Sequence, residues 1–316
     1  MLVLSETEIH TLIDTDDTLR IVEDVFKSMD RGDAENYPVV RESYGNAVFG
    51  VKSGGDPVAG ILGLKAGGVW PGNEAKGMTN HQSSALLFDP ETGRLVSVMS
   101  GNAITASRTA AACAVSIKHL ARENATTLGI MGAGAQAYHH VMAALRVRRF
   151  SRLFIWNRGP ERADILAKRL GEHIAVTVVD TSAPLLEASD VIITLTPATT
   201  PILALEGVRA GTHIAAMGSD TIGKQEIGAE LMSASRVFPD SIVQSKTIGE
   251  CQCFPPDATP IIDTIGAVLN GRVKGRTSDK DITIFDGTGV ALQDVAMGRH
   301  LFDLALRKGV GTEVSL

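Results

Sequence analysis

The chain has 316 residues, 44% hydrophobic and 21% charged, with a formal net charge of −6. That balance gives no electrostatic case for binding nucleic acid, so no nucleic-acid partner is expected. No apolar run reaches the roughly 18 residues that a bilayer span requires, so no membrane association is expected either, and an acidic ligand would have to be drawn by a local cationic pocket.

The N-terminal stretch Met1-Leu2-Val3-Leu4-Ser5-Glu6 lacks the basic region of a secretion signal, which points to a cytoplasmic protein. Ser5-Glu6-Thr7-Glu8 has the pattern of a capping box and opens a short helix. A second helix follows, with Leu19, Val22, Val25, Phe26 and Met29 on one face and an end near Gly32. Residues 37 to 66 read as short strands around Val39-Val40, Ala47-Val48-Phe49 and Ile61-Leu62, punctuated by Gly54-Gly55 and Gly67-Gly68. Ser84 to Phe88 and Leu95 to Met99 flank the turn Asp89-Pro90-Glu91-Thr92-Gly93, the signature of a hairpin. A long helix from about Thr105 to Ala121 leads out of this antiparallel-rich layer.

Strands and helices then alternate, with strands at 127–131, 152–156, 174–179, 189–195, 212–217 and 236–239. The pattern predicts a doubly wound parallel sheet. A last strand, Ile282 to Phe285, precedes a helix from Val290 to Leu306 that is long enough to return to the first domain. The expected division is a first domain over 1–120, completed by 290–316, and a second over 121–289. Cys113, Cys251 and Cys253 are odd in number and lack further ligands at metal-binding spacing, so they read as free thiols and no metal site is expected. Cys113 lies in an apolar helix and reads as a core residue.

The most informative segment is Leu128-Gly129-Ile130-Met131-Gly132-Ala133-Gly134-Ala135-Gln136-Ala137. It reads as a buried strand, a Gly-x-Gly-x-x-Ala turn and a helix, which is a dinucleotide-binding fingerprint. Gly132 permits the tight turn, Gly134 lets the backbone approach a pyrophosphate, and Ala137 lets the helix pack on its strand. The pyrophosphate then meets unpaired N–H groups at the helix N-terminus, so Ala133, Ala135 and Gln136 join the two glycines as cofactor contacts. Thr196 and Met217, at the ends of later strands, are further candidates. At Trp156-Asn157-Arg158 the second strand ends without the carboxylate that binds the ribose 2′-hydroxyl of NAD. Asn157 and Arg158 therefore lean toward NADP(H), although Arg158 can also stack on adenine with either cofactor.

Three polar residues stand out against apolar surroundings. Asp220 follows the apolar run His213 to Gly218 and projects from a strand end, as a proton-transfer residue or as a helix cap for the segment after Gly223. Lys65 sits in an apolar strand, where an unpaired charge is costly. Arg108 sits near the start of an apolar helix and suits a bidentate grip on a carboxylate. For both cations a surface salt bridge is the plain alternative. Asn80 and His81, just before the hairpin strand, are further candidates to touch a substrate, although a lone histidine is more often structural.

At these residues the chain resembles the ornithine cyclodeaminase/μ-crystallin family nearly end to end. The matching pieces are Pro38 to Arg41, Leu64-Lys65, Leu87 to Asp89 with Thr92-Gly93, Thr105 to Ala112, Gly132 to Ala137, and Gly218 to Asp220 with Gly223 to Glu226. The resemblance implies a Rossmann domain beside an α/β substrate-binding and dimerisation domain, and hence a homodimer. It implies that Arg41, Lys65 and Arg108 bind a substrate α-carboxylate and that Asp220 is the acid/base at the substrate nitrogen. Members that bind ornithine carry a glutamate thirteen residues before the lysine, where this chain has Lys52. A cation there repels an ammonium and favours a second carboxylate, unless Lys52 is only a solvated loop residue. With Gly67 to Asn73, this is similar to the branch of iminosuccinate reductases and of ectoine-utilisation members. The expected activity is NAD(P)H-dependent reduction of a small acidic imino acid. The alternatives are a cyclodeaminase or lyase without net redox change, and a nucleotide-bound crystallin-like protein without turnover.

Overall fold

A computed structural model describes residues 1–254 and 261–315. The chain divides into two compact units, one of Met1–Arg108 with Val290–Leu316 and one of Thr109–Gly289. The first break falls inside a helix, after Arg108. The helix is apolar and alanine-rich on both sides of that point, so no change of composition marks it.

The first unit opens with β1 (Leu2–Leu4), α1 (Glu6–Leu12) and α2 (Thr15–Arg31). The capping box is present: the Ser5 hydroxyl accepts from the Glu8 N–H, and the Glu8 carboxylate accepts from the Ser5 N–H. Asp14 caps α2, and Gly32 ends it in the left-handed conformation at φ 79°. Next come β2 (Glu35–Asn36), β3 (Val40–Tyr44), β4 (Ala47–Asp56), β5 (Ile61–Val69), β6 (His81–Phe88) and β7 (Leu95–Ser100). They pair antiparallel, β6 and β7 as the expected hairpin, while β1 lies parallel to β7. Then α3 (Asn102–Leu120) leads away.

Gly54-Gly55 and Gly67-Gly68 do not break this sheet; they lie inside β4 and β5. A Cβ on Gly68 would overlap the Val48 carbonyl, and one on Gly67 would overlap the backbone of Gln82 and Ser83. These glycines mark close strand approach and not turns.

The second unit runs β8 (Thr127–Met131), α4 (Ala137–Val147), β9 (Arg152–Trp156), α5 (Pro160–Leu170), β10 (Ala175–Val178), α6 (Ala183–Ala188) and β11 (Val191–Thr194). It continues through β12 (His213–Ala216), α7 (Ala229–Ser233), β13 (Arg236–Pro239), α8 (Ile242–Ile248), β14 (Ile261–Ile262), α9 (Ile265–Leu269) and β15 (Thr283–Asp286). The sheet order is β10-β9-β8-β11-β12-β15-β13-β14, parallel throughout. Strands β11, β12 and β15 are buried along their whole length, which explains their continuous apolar sequence. Strand order reverses between β8 and β11, the point where doubly wound sheets open a ligand crevice beyond the strands' carboxyl ends.

Helix α10 (Ala291–Lys308) belongs to the first unit and packs on β4, β5 and β6. Gly54 and Gly63 make room for it: a Cβ on either would meet Leu292 or Val295, at 3.2 and 2.8 Å. Strand β16 (Thr312–Glu313) closes against β1. Among the described residues no helix is long and apolar enough to cross a membrane.

Candidate active site

In the first unit, antiparallel register sets Lys52 of β4 directly opposite Lys65 of β5. Residues so paired point to the same face of a sheet. Arg41 of β3 pairs with Gly50, two residues from Lys52, so Arg41 shares that face. It is the face on which α10 packs. Lys52 is thus a strand residue, and the solvated-loop alternative does not hold.

Lys65 and Arg108 are 8% and 5% exposed, so neither is a surface salt bridge. Both meet Asp294, a fully buried carboxylate from the first turns of α10. Lys65 Nζ donates to Asp294 Oδ1 at 3.0 Å, lies 2.9 Å from Oδ2, and donates to Thr105 Oγ1 at 3.1 Å. Arg108 donates from Nε to Asp294 Oδ1 at 3.1 Å and from Nη1 to Gln293 Oε1 at 3.2 Å.

The electrostatics follow from this crowding. Burial pulls the Lys65 ammonium down to about 7; Asp294 opposes that, while Arg108 and Lys52 add to it. Burial works against the Asp294 charge, but Arg108, Lys65 and Lys52 outweigh it and hold the carboxyl below its ordinary range. Burial, then Lys65 and Arg108, push His81 down to about 4, so its imidazole is neutral near pH 7. Asn80 is spent locally: its Oδ1 accepts from the Asn73 N–H at 3.1 Å and its Nδ2 donates to Glu74 at 3.4 Å.

In the second unit, Gly132 adopts φ 107° and donates its N–H to the Trp156 carbonyl at 2.9 Å. Gly134 faces open space, with nothing within 4 Å of where a Cβ would stand. Ala137 is fully buried at the start of α4, which begins two residues later than Ala135, with Gln136 as its cap. An open glycine before an 11-residue helix, at the strand-order reversal, fits a pyrophosphate. Asn157 organises this turn, its Oδ1 accepting from Ala133 N at 2.9 Å and its Nδ2 donating to Gly159 O at 2.7 Å. Arg158 is exposed beside it. Met217 is buried at the end of β12.

Asp220 follows β12 and pairs with Lys224 at 2.7 Å, and Thr221 donates to it at 3.1 Å. It caps no helix: the next helix, α7, begins at Ala229 on Gly228. Lys224 also reaches the Gly218 carbonyl at 3.3 Å, fixing the loop that carries Asp220. Beneath that loop, buried Glu226 accepts from Thr194 Oγ1 (2.6 Å), Thr196 N (2.6 Å), Thr196 Oγ1 (2.7 Å) and Gly218 N (2.9 Å). It ties together the loops leaving β11 and β12, and it occupies the Thr196 hydroxyl.

The sequence assigns no function to Asp294 or Gln293, and it marks Lys224 and Glu226 only as part of a matching family segment. Asp294 carried the same signal that singled out Lys65, a charge inside the apolar run Val290 to Met297. Cys113, Cys251 and Cys253 are free thiols.

Fold and site define a Rossmann-type dinucleotide-binding unit joined to an α/β unit with a buried cationic face. The ornithine cyclodeaminase/mu-crystallin family matches residues 1–309, and the chain belongs to that family. It is 45% identical to the iminosuccinate reductase of Paracoccus denitrificans, covering 100% of both chains. The structure of that reductase in complex with NAD+ superposes at a TM-score of 0.91, with 100% of this chain and 99% of that one covered. An archaeal alanine dehydrogenase dimer with bound NAD is 32% identical and gives a TM-score of 0.94, over 100% of this chain and 99% of that one. The ketimine reductase mu-crystallin of Rattus norvegicus is 34% identical over 74% of this chain and 73% of its own.

Proposed function

We propose that this chain is a NAD(P)H-dependent imine reductase whose substrate is a small acidic imino acid, iminosuccinate, reduced to L-aspartate. The observation that carries the substrate class is the charge on one sheet face. Lys52 stands opposite Lys65 on that face, and Arg108 lies beside Lys65 with the carboxylate of Asp294 held between the two. Cations gathered in this way attract anions and repel a further ammonium. A dicarboxylate meets them; an ammonium-bearing substrate such as ornithine does not. In this assignment Arg41, Lys65 and Arg108 hold one carboxylate and Lys52 the other, with neutral His81 as a hydrogen-bonding neighbour.

A dinucleotide held at the Gly132–Gly134 turn would supply the hydride for the imine carbon. Asp220 is assigned the proton at nitrogen, so that hydride and proton together convert C=N to CH–NH. As the carboxylate paired with Lys224, it stabilises the protonated imine, the iminium that accepts the hydride, and mediates transfer of that proton to the nitrogen. For the cofactor, the missing carboxylate after β9 and the exposed Arg158 support acceptance of NADP(H). The NAD held by the two solved relatives supports NAD(H) as well. A homodimer is supported by the outer face of the first sheet, where Val40, Phe49 and Tyr44 are 53, 44 and 77% exposed.

The test is to incubate the enzyme with oxaloacetate, ammonia and either NADH or NADPH, following reduced-cofactor absorbance and assaying L-aspartate. Ammonia-dependent oxidation that yields L-aspartate is expected, and the two cofactors read out preference directly. No oxidation with either cofactor, despite cofactor binding, would overturn the proposal in favour of non-redox lyase chemistry.

A further inference from the structure

We propose that Asp294 is a positioning residue for substrate binding: it locks Lys65 and Arg108 into one arrangement that leaves Nη2 of the Arg108 guanidinium for the substrate carboxylate. The proposal rests on the carboxylate-binding role assigned above to those two cations.

The geometry is specific. Asp294 is fully buried and is joined to Lys65 across 229 residues of chain. Its two oxygens span the Lys65 ammonium, and one of them also takes Arg108 Nε. The neighbouring Gln293 takes Arg108 Nη1, while Nη2 makes no hydrogen bond among the described residues. Two successive residues of α10 thus engage Nε and Nη1 and leave Nη2 as the nitrogen of the guanidinium open to a further acceptor. Thr105, from the start of α3, holds Lys65 from a third direction.

Asp294 also sets the charge of the pair. Among the described residues, the other charged groups that act on Lys65 are the cations Arg108 and Lys52, and both act to strip its proton; His81 beside them is neutral. Without the Asp294 charge, Lys65 would deprotonate more readily and lose its two-oxygen anchor. A substrate carboxylate would then meet a neutral amine and an unrestrained guanidinium.

Asp294→Asn keeps the shape and removes the charge. The expected result is a KM for the dicarboxylic imine raised roughly 30-fold or more, with a smaller change in kcat. In the wild type KM should climb as pH rises through about 7, because the cation that binds the anion is lost there. In Asp294→Asn the climb should begin at lower pH. In a Lys65→Met background the same substitution should cost much less, since the partner through which it acts is gone. NMR of 13C-labelled lysines, with Lys65→Met to assign the resonance, reads the titration of Lys65 without turnover. Its midpoint should fall in Asp294→Asn. An unchanged Lys65 midpoint, or a loss of thermal stability with KM and its pH dependence intact, would overturn the positioning role. A wild type that reduces no imine would instead overturn the function proposed above, and the lysine titration would still decide the role of Asp294.

Discussion

A glutamate in place of Lys52 would stand directly opposite Lys65 and cancel one of the charges on that face. Lys52→Glu should therefore raise KM for a dicarboxylic imine by roughly 30-fold or more and leave dinucleotide affinity alone, as steady-state kinetics and a cofactor titration would show. Unchanged kinetics would remove Lys52 from the site. Asp220 is the residue to test for proton transfer: Asp220→Asn should lower kcat by about 100-fold or more with the cofactor still bound. Single-turnover rates measured against cofactor affinity separate the two effects. Lys65, Arg108 and Asp220 were legible as residues because each is polar where its neighbours are apolar. Lys52 was legible only through family resemblance, since nothing in Gly50 to Gly54 distinguishes a strand lysine from a loop lysine. Asp294 was overlooked because its partner lies 229 positions away, and helix periodicity says nothing of that distance.

Glycines show the same contrast at the level of elements. At Gly132 the need is local: φ is 107°, and a Cβ would stand 2.8 Å from the Leu195 carbonyl. Gly132→Ala should cost about 1–3 kcal/mol of stability and weaken dinucleotide binding, measurable by thermal unfolding and by fluorescence of bound NADH. That turn was readable from its spacing. Gly54-Gly55 and Gly67-Gly68 were misread as breaks, because their cause is the closeness of a neighbouring strand, which single-strand patterns do not encode. Glu226 is an element-level device too, binding the ends of β11 and β12 through four donors. Glu226→Ala would strand those donors in a buried place, where each unsatisfied group costs about 1–3 kcal/mol. The loop carrying Asp220 should then loosen, read as faster amide exchange over residues 196–198 and 218–224.

Over the whole molecule, the buried carboxyls of the second unit make stability depend on pH. Burial raises Asp286 to about 7, and it raises Glu250 to about 8 with help from Asp286. In the unfolded chain both are ordinary carboxyls near about 4. The folded form therefore binds more protons between those values, so the contribution is complete at low pH and is lost as pH rises through about 7 to 8. The thermal midpoint should fall between about pH 5 and pH 8, and Asp286→Asn should flatten the fall. Lys65, whose proton is held less tightly when folded, works in the opposite direction above about pH 7, so the variant and not the raw curve is the test. An equal slope in Asp286→Asn would remove Asp286 as the cause.

The sequence by itself determined the features that depend on near neighbours: the alternation of β8 to β13, the caps at Ser5 and Gly32, the hairpin, the glycine turn and the family. These follow from backbone geometry and from apolar periodicity within a few residues. Only the tertiary structure decided that the first unit ends inside α3, that Lys52 faces Lys65, and that Asp294 joins Lys65 to Arg108. Strand register and the landing of a distant helix are collective outcomes of packing. A charge buried by them takes its meaning from partners that the order of residues does not place beside it.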